Sequence, residues 1–241
     1  MIRKILFHSI KHEKFRQRGN KIFRIEALSD AVFAFSVSLL VASLEVPQTF
    51  AELKIITKGA IPFFLTVTLV FLFWYQQYIF FRRYGLNDLS TILLNLAYLA
   101  VIIFYVYPLK FLFSLLISSW GGIDLFAKAN EKGLVVLSNK EFPQLIILFS
   151  IGYFLIWYII YLLHKHVLHL SKSFEFTQFE KLLTQKEVRG ALWNSLIGLF
   201  ALAFAFLNFE TLAGICYLLI PLILIINEYI FKVKVKKIVK N

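Results

Sequence analysis

Apolar and polar positions along the chain form long apolar runs with short polar breaks between them. The runs fall near residues 27–46, 60–81, 89–118, 143–164, 191–208 and 212–231. Each has about 18 residues or more, the length a helix needs to cross a hydrocarbon layer roughly 30 Å thick. The pattern predicts six membrane-spanning helices, with no water-soluble domain or low-complexity tract between them. Pro47 closes the first run, and "RRYGLND" makes a tight turn between the second and third. Pro62 and Pro143 fall in first turns, where a missing N–H costs nothing. Pro108 and Pro221 lie inside runs and predict kinks. The stretch "GGIDLFAKANEKGLVVLSNKEFP" is a longer polar excursion.

Composition agrees with this pattern. Of 241 residues, 59% are hydrophobic and 27 are Phe, more apolar surface than a soluble domain of this size can hide. The fold class is an all-α polytopic membrane protein. Cys216 is the single cysteine and sits in an apolar run, so neither a disulfide framework nor a cysteine metal site is expected. No small-residue cleavage site follows the short "ILF" near the start, so a cleavable signal peptide is not expected.

The net charge of +12 turns from a nucleic-acid signal into a topology signal once its distribution is followed. Arg3, Lys4, Lys11, Lys14, Arg16, Arg18, Lys21 and Arg24 precede the first run. Arg82 and Arg83, then Lys165, Lys172, Lys181, Lys186 and Arg189, and finally Lys232, Lys234, Lys236, Lys237 and Lys240 fall on the same side. Only Lys54, Lys58, Lys128, Lys132 and Lys140 fall on the other, with Lys110 inside the third run. Twenty against five predicts cytoplasmic termini, with anionic lipid as the partner of the basic face. No motif that reads RNA or DNA accompanies the charge, so no nucleic-acid partner is expected. The chain divides into a basic arm (1–23), a six-helix membrane domain (24–231) and a basic tail (232–241).

Polar residues inside the spans are the candidates for function. The first begins "RIEALSDAVFAFSVSLLVASLEVP", with Arg24 and Glu26 at the interface and Asp30 about two turns inside. An ionised carboxylate at that depth costs a few kcal/mol unless it is paired or hydrated. Glu26 suits the positive end of the helix dipole, and Ser29 is placed to cap a backbone group. Asp30 points instead to a buried interhelical network. Glu26 and Asp30 share a face and repel mildly, whereas Arg24 and Asp30 lie about 120° apart, so each looks to another helix or subunit. Trp74, Gln76 and Gln77 in "FWYQQY" and Asn95 in "LLNLAY" supply N–H groups that satisfy a carboxylate without adding charge. Further along, Ser29, Ser36 and Ser43 recur every seven residues as a packing stripe of small side chains. Ala31, Phe35, Ser38 and Ala42 follow a helix side and are able to line a narrow path. Periodicity alone does not separate the two faces.

The motif residues Arg24, Leu28, Ser29 and Asp30 resemble the arginine–three residues–Phe-Ser-Asp signature of the transmembrane protein 175 family of potassium channels. "FWYQQYIFFRRYGLND" and "LLNLAYLAVIIFYVYP" resemble the second and third helices of its prokaryotic members. The resemblance implies a homotetramer in a prokaryotic plasma (inner) membrane, with six helices per subunit and a central pore lined by the first helix. It places the hydrophobic constriction at Phe35 and further pore-lining positions at Ala31, Ser38 and Ala42. Arg24, Leu28, Ser29 and Asp30, with Trp74, Gln77 and Asn95, would then tie the pore helix to its neighbours. The expected permeant ion is K⁺, with no cofactor or bound metal. Leu28 stands where the signature has Phe, Gln76 and Gln77 where many relatives have histidine, and Phe35 where Ile or Leu is usual.

The implied mechanism is passive K⁺ flow through an apolar ring followed by a hydroxyl ring, since no "TVGYG" filter is present. A small secondary transporter is the alternative, because Pro108, Pro221 and Gly198 are able to interrupt helices. A non-conducting membrane protein is the other, on account of Phe35. "HKHVLH" brings His164, His166 and His169 to the basic side, where a hydrated cluster is expected rather than a metal site. No nucleophile elbow, "HExxH" or phosphate loop is present, so no enzyme is expected. Glu210 and Glu228 are expected to be hydrated, and Asn194 and Ser195 to join packing hydrogen bonds.

Overall fold

The computed structural model describes residues 15–42, 46–121, 125–126, 132–138 and 141–240. Arg3, Lys4, Lys11, Lys14, Lys128, Lys140 and Ser43 lie outside these residues. The elements, in chain order, are α1 (Arg24–Ala42), α2 (Phe50–Lys58), α3 (Ala60–Tyr84), α4 (Leu89–Gly121), α5 (Phe142–His169), α6 (Gln178–Phe206), α7 (Glu210–Leu218) and α8 (Ile220–Lys240). Six helical segments are long and apolar enough to cross a membrane, α7 and α8 together forming the sixth.

Local chemistry sets the boundaries. The Thr49 hydroxyl accepts the Glu52 N–H, and the Glu52 carboxylate accepts the Gln48 N–H, starting the short α2. A full capping box starts α6, with Thr177 and Glu180 each satisfying the other's backbone N–H. Gly85 ends α3 in the left-handed conformation (φ 59°), which a residue without Cβ adopts at no steric cost. The sixth span breaks at Leu219, just before Pro221, as a proline inside a run predicts. Pro108, by contrast, lies within the unbroken α4.

Two groups of helices make up the bundle. α1, α3 and α4 pack on one another, and α5, α6, α7 and α8 pack around α6. The α4–α5 contact joins the groups. Gly198 does not interrupt α6. It lets α6 approach α5, since a Cβ there would lie 3.0 Å from the backbone of Phe154. A matched pair of broken helices, which a transporter site requires, is therefore not formed by Pro108, Gly198 and Pro221.

Buried tyrosines fill the core, and each hydroxyl has a partner, as a membrane interior demands. Tyr98 donates to Phe73 O and Tyr105 to Phe149 O, both at 3.0 Å. Tyr153 donates to Asn194 Oδ1 and Tyr217 to Ser150 Oγ, both at 2.8 Å. Asn194 thus joins a packing hydrogen bond as expected, whereas Ser195 bonds back along its own helix, to Leu192 O at 2.8 Å, and not to a neighbouring helix.

Candidate functional site: the first helix and its anchors

One face of α1 is packed and the other is bare. Ile25, Ser29, Phe33, Ser36 and Leu40 are buried, at the three- and four-residue spacing of one helix side. Ser29 Oγ donates to Ile25 O at 2.7 Å and Ser36 Oγ to Val32 O at 2.8 Å. Ser29 therefore bonds back along its own helix rather than capping an N–H group. Both described members of the serine stripe lie on the packed face. Ala31, Phe35, Ser38 and Ala42 are all exposed in the single chain, Phe35 by 55%. The structure thus separates the two faces that periodicity leaves mixed. Ser38 Oγ donates to Ala34 O at 3.0 Å, which leaves its oxygen lone pairs facing outward.

A relay of side chains fixes the packed face. Gln77 Nε2 donates to Asn95 Oδ1, Asn95 Nδ2 donates to Ser29 Oγ at 3.0 Å, and Ser29 continues to Ile25 O. Ser29, Gln77 and Asn95 are all buried, so α1, α3 and α4 are cross-linked by satisfied polar groups. Trp74 Nε1 donates to Asp30 Oδ1 at 2.8 Å and ties α3 to it, but Asp30 is exposed and not in the buried network expected for it. Gln76 stays outside this network. It is exposed and has no hydrogen-bond partner among the described residues, because packing turns Gln77, not Gln76, toward α4. Glu26 plays the helix-start role, its carboxylate accepting the Phe23 N–H at 2.9 Å.

The two remaining motif charges flank α1. Arg24 is exposed and unpaired among the described residues, in a groove with Leu28, Asn87 and Leu96 on the α4 side. Leu28, 44% exposed, lies in that groove with it. Asp30 and Trp74 line a groove with Thr68 and Phe71 on the α3 side.

Comparison with known proteins bears on this arrangement. Residues 24–105, which hold α1, α3 and much of α4, match the family described as the endosomal/lysosomal potassium channel TMEM175. An alignment of 233 positions covering 94% of each chain shows 33% identity to a potassium channel of Marivirga tractuosa. The chain belongs to the TMEM175 family. Its fold matches the crystal structure of a threonine-to-alanine variant of the potassium channel MtTMEM175 bound to a nanobody–MBP fusion protein. That match has a TM-score of 0.80 at 33% identity, over 90% of this chain and 97% of the other.

This TMEM175-family chain also has anchors between residues far apart in its sequence. Residues 15–20 lie as a strap across the basic end of the bundle, not as a free arm. Arg18 grips Glu180 through both guanidinium nitrogens at 3.0 and 2.9 Å, and stacks over Phe176 at 4.7 Å. Glu180, 1% exposed, also accepts the Arg16 N–H at 2.9 Å, and Arg82 Nη1 donates to Gly19 O at 2.7 Å. Arg83 pairs with Glu187 at 3.0 Å.

The histidine cluster expected to be hydrated divides instead. His164 is buried with its ring edge-to-face against Phe80 and Tyr84, and His166 meets Asp88 at 2.9 Å. Partial burial disfavours ionisation of Asp88, but hydrogen bonds from Thr91 and the neighbouring His166 together hold its carboxyl below the ordinary value. Glu228 is not simply hydrated either, since Lys186 pairs with it at 2.6 Å.

Proposed function

We propose that the chain is one subunit of a homotetrameric potassium channel in a prokaryotic plasma membrane, with cytoplasmic termini and the bare face of α1 lining a central pore. The observation that carries this reading is the exposed row Ala31, Phe35, Ser38 and Ala42 opposite a fully anchored packed face. Phe35 is the apolar constriction, and the ring of four Ser38 oxygens is the layer that meets a partly dehydrated K⁺. The Ala34 carbonyl accepts the hydroxyl's hydrogen bond, so the Ser38 oxygen presents lone pairs toward a cation. Hydrophobic narrowing penalises Na⁺, which holds its water more tightly.

The flanks of α1 support closure into a ring. In a head-to-tail ring the α4 side of one subunit meets the α3 side of the next. Arg24, unpaired among the described residues, then approaches the neighbour's acidic flank around Asp30, and neither charge is left facing lipid. Both relatives reported above are named potassium channels, in line with this reading.

Potassium and sodium fluxes from liposomes holding the purified protein test it. Ser38→Ala should lower the K⁺/Na⁺ permeability ratio by about fivefold, the equivalent of ~1 kcal/mol. An unchanged ratio in a conducting variant overturns the role of the hydroxyl ring.

A further inference from the structure

A small cavity of about 10 Å³ lies where α3 meets α5, lined by Gln76, Gln77, Phe80, Tyr98, Leu163 and His164. That is room for one water and little more. His164 is 5% exposed and Gln77 6%, so both reach the cavity from buried positions. Nothing in the conduction mechanism uses His164.

Each of these two side chains has an acceptor to spare. His164 Nδ1 lies 2.9 Å from Ile160 O, and a carbonyl only accepts, so Nδ1 carries the proton. In the neutral ring Nε2 then keeps its lone pair. The ring packs edge-to-face with Phe80 and Tyr84, at 5.2 and 5.8 Å between centroids, which fixes where Nε2 points. Neither neighbouring tyrosine supplies Nε2 with a proton. Thr184 gives its own hydroxyl hydrogen to Glu180 O, so the Tyr84 hydroxyl donates to Thr184, and Tyr98 donates to Phe73 O. Gln77 Nε2 is committed to Asn95, and Oε1 has no partner among the described residues. Packing seals off neither acceptor, since among the described residues the Trp157 indole nitrogen is the sole partnerless side-chain atom that is closed in. Two lone pairs beside one small cavity call for a single group that donates twice, and water is the smallest such group. Gln76, exposed and without a partner among the described residues, adds a carboxamide N–H for the water's own oxygen, which gives a buried water its usual number of partners.

We infer that one buried water binds here, donating one hydrogen to His164 Nε2 and the other to Gln77 Oε1, and that His164 is a positioning residue for the relay behind α1. The relay then runs from α5 through the water to Gln77, Asn95 and Ser29, and it ties both groups of helices to α1. With Oε1 held by the water, the Gln77 amide stays turned toward Asn95. A flip would set two carbonyl oxygens against each other and break the relay. The water site does not rest on the pore reading, and its test needs no ion flux.

Full-length protein with isotope-labelled imidazole nitrogens, reconstituted in liposomes, carries five histidines, and His164→Phe identifies the signals of His164. Solid-state NMR should show its Nδ1 protonated and its Nε2 bare, with magnetisation passing from water to Nε2. Gln77→Met removes the oxygen at nearly constant chain length and should remove most of that transfer. In denaturant unfolding, His164→Phe and Gln77→Met should be non-additive by about fivefold in the equilibrium constant, the worth of one hydrogen bond, since either alone breaks the bridge. A protonated Nε2, or a wild-type ring that receives nothing from water, overturns the inference. So does a transfer unchanged in Gln77→Met, or additivity of the two substitutions. The first two outcomes are read on the wild-type protein, so they decide the matter even where Gln77→Met fails to fold.

Discussion

Replacing Asn95 with leucine should loosen α1 from the helices behind it. Asn95 is fully buried and makes two interhelical hydrogen bonds, accepting from Gln77 and donating to Ser29. Interhelical hydrogen bonds in membrane proteins contribute about 0.6 kcal/mol each on average. Gln77 is only 6% exposed, so its Nε2 loses its partner and gains no water in exchange, at about 1–3 kcal/mol. The leucine brings little compensation, because lipid is as apolar as the protein interior and burial between helices gains almost nothing. The sum is about 2–4 kcal/mol. Ser29→Ala should cost much less, ~1 kcal/mol, since only the Asn95 amide loses an interhelical bond, the other bond lost being that to Ile25 O within α1. Because the two residues share that bond, Ser29→Ala should add little to Asn95→Leu. Denaturant unfolding in lipid–detergent micelles of fixed composition gives both quantities from midpoint and slope. A loss below about 0.5 kcal/mol for Asn95→Leu, or full additivity of the two substitutions, refutes the relay as the anchor of α1.

Other consequences are equally specific. Glu180→Gln removes the counter-ion of Arg18, whose side chain is 13% exposed, and should destabilise the protein by ~3 kcal/mol and open the strap to limited proteolysis; an uncut strap contradicts the clamp. Gly152→Ala drives a Cβ to 2.1 Å from the Tyr105 ring, so a loss of about 1–3 kcal/mol is expected in the same unfolding assay, and an unchanged midpoint contradicts the packing. The lowered carboxyl of Asp88 stabilises the fold at pH above the ordinary carboxylate value, and that contribution is lost as pH falls through the lowered one. The stability gap between wild type and Asp88→Asn should therefore be present at neutral pH and close on acidification; a gap that widens in acid has the wrong sign.

Six spans were legible because apolar runs of that length have few other uses in a chain with so little polar surface. Gln77 and Asn95 were legible as interhelical anchors, being conspicuous inside such runs, but their partner was not, since they meet Ser29 and leave the Asp30 carboxylate to Trp74. The choice between Gln76 and Gln77 was not legible either. It depends on how α3 is rotated, and a helix apolar on nearly every side carries little periodic signal to fix that rotation. The start of α6 was misplaced near 191 because Lys181, Lys186, Glu187 and Arg189 interrupt the apolar run. The helix in fact starts at Gln178, and partners on α3 and α8 satisfy three of those charges: Glu187 pairs with Arg83, Lys186 with Glu228, and Arg189 bonds Asn227. The "TFAE" and "TQFE" patterns at Thr49 and Thr177 were the available signals for α2 and α6, and the second closes as a full capping box. The Arg18–Glu180 clamp had no such signal, because its partners are far apart in the chain and only the packed bundle brings them together.

The central claim is that the bare face of α1 lines the conducting path. Single cysteines placed along α1 in a Cys216→Ser background, followed by a thiol-reactive cation during K⁺ flux from liposomes, test it most directly. Block is expected at Phe35→Cys, Ser38→Cys and Ala42→Cys and none at Phe33→Cys, Ser36→Cys or Leu40→Cys. Block at the packed positions, or free flux with position 35 modified, contradicts it.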